Sequence, residues 1–250
     1  MNGAPAARMR IALFSDIHGN LDAFEAVLRD LEGRGVDAAY SLGDNIGYGA
    51  QPEEVVRLLR ERGIPSVLGN HELAAKQPET LAWFNPAARR SLALTLGWLA
   101  PEDRAFLAAL PPFLSVHGVR LVHGVPPDSP TTYLFEIPLY ELGDRFGSFP
   151  ERICFVGHTH LLGLHRLEGG KVREEALGPG EHPLDPQGRY LVNVGSVGQP
   201  RDGDPGAKYA IWDAGRGVLE IRCVPYDAAA AAAKILARGL PAEHARRLVR

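Results

Sequence analysis

Asp16-Ile17-His18-Gly19, Gly43-Asp44-Asn45, Gly69-Asn70-His71-Glu72, His123-Gly124 and Gly157-His158-Thr159-His160 are five short clusters of metal-binding side chains, each following an apolar run. Together they offer two aspartates, one asparagine and four or five histidines, enough donors for a pair of divalent cations. The chemistry such a pair serves is phosphate-ester hydrolysis. A phosphodiester is an anion that repels hydroxide, so a catalyst must neutralise its oxygens and make a nucleophile from water. Two cations about 3.5–4 Å apart do both, because an oxygen held between them loses its proton far more readily than bulk water. Asp44 has donor residues on either side in sequence and is placed to bridge, while Asn70 adds an uncharged oxygen. All donors are N or O, which favours Mn, Fe, Zn, Ni or Co over Cu(I).

The surrounding pattern explains how distant clusters can meet. Residues 9–15 read as a buried strand, and Leu21, Phe24, Val27, Leu28 and Leu31 then fall at helical spacing until Gly33 and Gly35. Residues 38–42 read as a strand, 52–62 as a helix with Pro52 in its first turn, and 66–68 as a third strand. A βαβαβ run makes a parallel sheet, whose strands all end on one edge, so Asp16, Asp44 and Asn70 should converge there. Taken singly, Asp16 or Asp44 would pass for a turn or capping residue. That reading leaves unexplained why His18, His71, His123, His158 and His160 recur at the same kind of boundary.

Residues 73–112 form a helical insert, with helices over 82–97 and 102–110. Trp83, Phe84, Leu92, Leu94, Leu96, Trp98 and Leu99 are too many for an exposed face. It is either a layer packed on the sheet or a cap that shapes the substrate pocket. The pattern then turns to period two: 113–116 and 119–123 as a hairpin around His117-Gly118, followed by 153–156, 161–167, 171–177, 190–194, 209–213 and 218–224. A second sheet, mixed or antiparallel, follows. Residues 227–239 read as an Ala-rich helix that an Asp227 cap begins and Gly239 ends.

With 250 residues, 45% of them hydrophobic, the chain can bury a large core, and no linker divides it, so residues 1–250 are expected to form a single domain. Residues 1–8 read as a loose tail, and Met9 is an alternative start. The net charge of −3 with interspersed signs offers no basic stripe, which disfavours a nucleic-acid polymer as partner. No apolar run reaches membrane-spanning length and residues 1–10 lack the apolar core of a signal peptide, so a cytoplasmic location and no membrane partner are expected. Two cysteines argue against a disulfide scaffold, and Cys154, inside an apolar run, reads as a reduced core residue.

In this order the blocks Asp-x-His, Gly-Asp, Gly-Asn-His-Glu, a lone His and Gly-His-x-His resemble the five-block signature of the calcineurin-like metallophosphoesterases. The stretch Asn193-Val194-Gly195-Ser196-Val197-Gly198-Gln199-Pro200-Arg201 resembles their bacterial phosphodiesterase-like branch. The resemblance implies an α/β fold, a four-layer αββα sandwich of two mixed β-sheets flanked by helices, with the metals between the sheets. It implies that Asp16, His18 and His160 hold one ion, that Asn70, His123 and His158 hold the other, that Asp44 bridges, and that Mn or Fe is favoured. It implies that His71 is not a ligand but a catalytic group beside the scissile bond, protonating the leaving alkoxide or steadying charge. Glu72 is left as a helix-start carboxylate. Substrate contacts are expected from Asn20, whose Gly19-Asn20 backbone opens a helix toward the phosphate and whose side chain also caps it, and from Arg201 in the resembling loop. The competing role for Arg201 is a surface pair with Asp202 or Asp204. His117 reads as a turn residue, and His165 and His182 are assigned nothing.

One departure bears on substrate. Relatives acting on phosphoproteins or symmetrical diadenosine tetraphosphate follow Gly-Asp with an Asx-Arg-Gly tail whose Arg grips a terminal phosphate, whereas this chain continues Asn45-Ile46-Gly47-Tyr48-Gly49. A doubly charged monoester thus loses a counter-charge. The expected function is a dinuclear metal-dependent phosphodiesterase acting through a metal-bridging hydroxide on small phosphate esters, nucleotide-derived ones among them. The alternative is a phosphomonoesterase or phosphoprotein phosphatase of the same superfamily. A non-catalytic scaffold of the same fold ranks lower, because no ligand is missing.

Overall fold

The computed structural model describes residues 9–249, and the tail expected at residues 1–8 lies outside them. β1 (Arg10–Phe14) leads through α1 (Leu21–Leu31) to β2 (Ala38–Ser41), and the two strands pair in parallel with Ile11 opposite Ala38. α1 begins where the Asn20 side chain accepts the Ala23 N–H at 3.2 Å, satisfying one of the free donors of the first turn. α2 (Pro52–Glu61) begins with Pro52, whose missing N–H costs nothing in a first turn. The strand expected at 66–68 does not form. Ser66 makes a single parallel bridge to Ser41; Leu68 N–H then turns to the Pro111 carbonyl, and Gly69 opens α3 (Asn70–Lys76). The chain leaves the sheet at once because the next two residues, Asn70 and His71, are needed at its edge.

A 3₁₀ turn (Pro78–Trp83), α4 (Pro86–Trp98) and α5 (Pro101–Ala108) complete the helical insert. With α2 and α3 they enclose a cluster of their own containing Val56, Leu73, Leu92, Leu99 and Leu107. Trp83 departs from expectation: it ends the 3₁₀ turn outside that cluster and is 68% exposed.

β3 (Phe113–Val116) and β4 (Val119–Val122) form the expected hairpin. His117 and Gly118 both have positive φ, 50° and 77°, the backbone of a two-residue turn that matches strand twist. After α6 (Leu139–Gly147) come β5 (Ile153–Val156), β6 (Leu162–Glu168), β7 (Lys171–Glu175), β8 (Gly180–Pro183), β9 (Arg189–Val194), β10 (Ala207–Asp213) and β11 (Val218–Val224). Two helices close the chain, α7 (Ala228–Ala237), capped by Asp227, and α8 (Ala242–Leu248). One sheet runs β2-β1-β10-β11-β8 and the other β3-β4-β5-β9-β6-β7. Both are mixed: β1 and β2 are parallel in the first, and β4, β5 and β9 in the second. Unforeseen were α6, α8 and β8, which lies beyond the run expected at 171–177 and joins the opposite sheet through β11.

Period-two alternation builds the layers. Ile11, Leu13, Leu121, Ile153, Phe155, Tyr190 and Val192 face each other between the sheets. Their neighbours turn outward: Phe14 with Tyr209 and Ile211 under α1, and Cys154, Val156 and Leu191 under Leu142 and Phe146 of α6. This is the α/β arrangement of two mixed sheets flanked by helices. Cys154 is fully buried and unpaired, and burial pushes its thiol pKa up. Among the described residues no helix is long and apolar enough to cross a membrane.

Candidate metal centre

The loops that follow β1, β2, β4 and β5 meet at one end of the sandwich, and backbone hydrogen bonds lace them together. Asp16 N–H donates to Gly43 O (3.0 Å), His18 N–H to Asp44 O (2.9 Å) and Gly157 N–H to His123 O (2.8 Å). Asp16, His18, Asp44, His158 and His160 all have positive φ, between 49° and 68°. Non-glycine residues rarely adopt this conformation, and it costs energy that the surrounding structure must repay. The backbones also crowd: a Cβ on Gly69 would overlap the Asp44 carboxylate, and one on Gly198 the Ile17 carbonyl.

Three groups of donor atoms lie within 4.8 Å of one another: Asp16, His18 and His160; His18, Asp44 and His71; and Asp44, His123 and His158. His160 Nε2 is 3.3 Å from Asp16 Oδ1 and 3.2 Å from His18 Nε2. His123 Nε2 is 3.1 Å from both His158 Nδ1 and Asn70 Oδ1. Asp44 Oδ2 stands between the two sets, 3.8 Å from His18 Nε2 and 3.4 Å from His123 Nε2. The structure thus brings together all seven ligands expected from the sequence, and His71 with them. His71 Nε2 lies 3.8 Å from the same Asp44 oxygen.

Four of these histidines are oriented by backbone carbonyls: His18 by Ile46 O (3.0 Å), His123 by Leu42 O (2.7 Å), His158 by Thr131 O (3.0 Å) and His160 by Gln199 O (2.6 Å). A carbonyl only accepts, so the proton must sit on that nitrogen and the inward nitrogen of a neutral ring carries a lone pair. The inward nitrogens of His18 and His160, 3.2 Å apart, then face each other lone pair to lone pair, and Asp16 Oδ1 is buried with no hydrogen-bond partner. Cations between these groups resolve both problems, so the donor set fits divalent metals. Against the penalty of burial, the neighbouring His160 and His18 hold the Asp16 carboxyl below the usual range, and His123 does the same for Asp44. Burial likewise disfavours a charged His123, yet the Asp44 carboxylate lifts its pKa to about 9.

The family model for the calcineurin-like phosphoesterase superfamily domain matches residues 9–217. The chain belongs to the calcineurin-like phosphoesterases. It is 37% identical over 234 residues, 92% of this chain and 93% of its relative, to an uncharacterized protein of Methanocaldococcus jannaschii. A metallophosphoesterase from Sphaerobacter thermophilus has a structure similar to this one, with a TM-score of 0.81, 37% identity and 96% and 98% of the two chains covered. A protein of Pyrococcus horikoshii OT3 shares the fold, with a TM-score of 0.78 at 19% identity and 96% and 97% coverage. With its buried His/Asp clusters, this calcineurin-like phosphoesterase is a metal-dependent phosphoric ester hydrolase.

Two expected substrate contacts fare differently. Gly19 N–H donates to Asn45 O and Asn20 N–H to Ile17 O, so neither is free to face a phosphate. The Asn20 side chain is equally committed, capping α1 and donating to Gly198 O (2.9 Å) and the Tyr226 hydroxyl (3.1 Å). Asn20 ties loops together, and its phosphate role is withdrawn. Arg201 is exposed, its N–H donating to His160 O. The expected alternative, a pair with Asp202 or Asp204, is not made: both carboxylates pair with Lys208, at 2.9 and 3.6 Å. Burial raises the pKa of Tyr48 and Tyr133, and the Arg201 charge opposes it at both.

Glu72 was underrated. Fully buried, its carboxylate accepts N–H groups from Asp44 (2.8 Å), Asn45 (2.7 Å) and Gly69 (3.1 Å), fixing the loop that carries Asp44. Burial and the Asp44 charge push its pKa up to about 7, opposed by those N–H bonds. Glu72→Ala leaves three buried donors unpaired. We expect a loss of at least about 1–3 kcal/mol in thermal unfolding and roughly 10- to 100-fold in metal affinity. Unchanged melting and metal titration would show the loop to be held by other means. Tyr48 was also missed. Its φ is 56°, and its ring packs on His18 (4.3 Å between centroids), His71 (4.8 Å) and His244 (4.6 Å). The 193–201 stretch supports the centre from behind. Asn193 Nδ2 donates to Gly157 O and to Thr159 Oγ1, Ser196 Oγ donates to Asp16 O, and Gln199 O orients His160.

Proposed function

We propose that this phosphoesterase uses two divalent ions, Mn or Fe, to hydrolyse small phosphodiesters. Asp16, His18 and His160 would hold one ion and Asn70, His123 and His158 the other, with Asp44 shared. The metals, when bound, neutralise phosphoryl oxygens and acidify water. The observation that carries the diester reading is the run Asn45-Ile46-Gly47-Tyr48-Gly49 after Gly43-Asp44, which contains no arginine. Within that run Tyr48 packs an uncharged ring on His18 and His71. A monoester dianion would find one fewer counter-charge there, whereas a diester monoanion needs none. His71, whose Nε2 lies 3.8 Å from Asp44 Oδ2, would act on the leaving group, and Arg201 would hold a non-bridging oxygen.

The test is a panel on metal-reconstituted protein: an aryl phosphodiester, an aryl monoester, cyclic nucleotides and dinucleoside polyphosphates. Higher kcat/KM on diesters is expected, and a clear preference for the monoester would replace this reading with a phosphatase. Arg201→Ala should lower kcat/KM on the diester by the equivalent of about 1.5–3 kcal/mol, the worth of a charge-assisted hydrogen bond, with metal content and melting unchanged. Kinetics equal to the parent would remove Arg201 from the site.

A further inference from the structure

Beside the centre lies a cleft of about 360 Å³ that none of the chemistry above uses. Leu134, Ile137, Leu161 and Leu162 line it together with Phe135 and Thr159. Thr159 sits between His158 and His160, so the cleft opens one residue from two of the metal donors. Its volume lies within the range of small-molecule pockets. Phe135 is 69% exposed and Leu161 40%, an apolar rim that a soluble protein rarely leaves bare without a use.

We infer that this cleft receives a nucleobase, which makes the esters hydrolysed at the neighbouring centre nucleotide-derived; the inference rests on the phosphoesterase reading of that centre. Two independent observations point to a planar heterocycle. The first is a column of stacked rings: Tyr133 lies on His158 with centroids 3.7 Å apart and planes 15° apart, and Phe135 lies on Tyr133 at 4.8 Å and 16°. The column leads from a metal donor to the cleft and ends in the exposed ring of Phe135. Base-on-aromatic stacking strengthens binding roughly tenfold to hundredfold and accepts any base.

The second is His165 on β6, which lines the cleft at 8% exposure with no hydrogen-bond partner for its Nδ1. Burial pushes its pKa down, against the pull of Glu174 opposite it on β7, so the ring is neutral at pH 7. The imidazole edge that lines the cleft can pair with the edge of a base, which supplies either a donor or an acceptor. An alkyl chain would fill the same volume and make no such pair.

The experiment is calorimetric titration of the metal-loaded full chain with adenosine 5′-monophosphate and with ribose 5-phosphate, which share phosphate and sugar and differ only in the base. The nucleotide should bind at least tenfold tighter. Phe135→Ala and His165→Leu should each narrow that gap at least threefold while leaving ribose 5-phosphate affinity and melting temperature unchanged. Equal affinities for the two ligands, or a gap that survives both substitutions, would overturn the inference. So would octyl phosphate binding more tightly than the nucleotide and losing its advantage in the same variants, which would make the occupant an alkyl chain. Turnover of bis(4-nitrophenyl) phosphate by the parent, measured in parallel, tests the phosphoesterase reading separately. Its absence beside an intact affinity gap would defeat that reading and leave the base-binding cleft standing.

Discussion

Asp44→Asn should lose both metal ions together, each affinity falling roughly 10²- to 10⁴-fold, with turnover falling alongside. The estimate is the cost of about 3–5 kcal/mol for removing one partner from a buried charge pair, at 1.4 kcal/mol per tenfold. The substitution is unusually clean. Asp44 Oδ1 accepts the His71 N–H at 2.9 Å, a bond an asparagine oxygen can keep, so the loop and α3 stay in place. What changes is Oδ2, which faces His18, His71 and His123 and has no other work in the structure. Because that oxygen stands between the two donor sets, its charge serves both. Substituting a donor that touches one set alone, such as His160→Ala, should weaken one ion more than the other. Metal analysis after passage through metal-free buffer reads the difference, and added metal should raise the melting temperature of the parent but not of the variant. Two retained ions with near-normal turnover would end the bridging role.

The donors other than Asn70 could be read in the sequence because they follow or lie beside buried strands, whose apolar runs are a strong local signal, whereas Asn70 opens α3 after a buried run that forms no strand. Their backbone conformation was hidden. Five of the ligands occupy positive-φ positions, which Asp and His tolerate better than bulkier residues, yet nothing in the string separates a strained Asp from one in an ordinary turn. Glu72 illustrates a different blindness. Two of its three partners are backbone N–H groups 27 and 28 residues away, and a hydrogen bond to distant backbone selects no residue type in the partner and leaves no pattern. β8 was invisible for a related reason: Gly180–Pro183 has no buried apolar residue and is held by backbone pairing to β11. α6 buries only Leu142 and Phe146, too few for a periodicity to stand out between Pro138 and Pro150. The run at 66–68 erred in the other direction. Val67 and Leu68 are as buried as strand residues, but one feeds the inter-sheet core and the other the helical insert, so the burial came without a ladder.

His71→Ala should keep both ions and lose roughly 10²–10⁴ in turnover on esters with poor leaving groups, the range for removing acid–base assistance. Retention of metal is expected because the seven other donors do not depend on the ring, and the His71 N–H to Asp44 is backbone and survives. The geometry allows a rival role. His71 shares a donor group with His18 and Asp44, close enough for its Nε2 to coordinate an ion. Its setting argues against that. His71 Nδ1 has no hydrogen-bond partner and presses on Gly47, unlike the four histidines whose outer nitrogen is fixed by a carbonyl. The ring is instead wedged between Tyr48 and Phe84, at 4.8 and 5.0 Å between centroids, which holds it by packing. Burial, against the attraction of Asp44, pushes its pKa down to about 3, so the ring is neutral at pH 7. A neutral imidazole offers one N–H to a departing alkoxide, and that help matters more as the leaving group becomes more basic. The loss should therefore be large for alkyl esters and small for aryl esters, while His71→Asn, which retains an N–H donor, should recover part of it. Loss of metal in His71→Ala would make His71 a ligand, and an equal loss across leaving groups would make its contribution electrostatic.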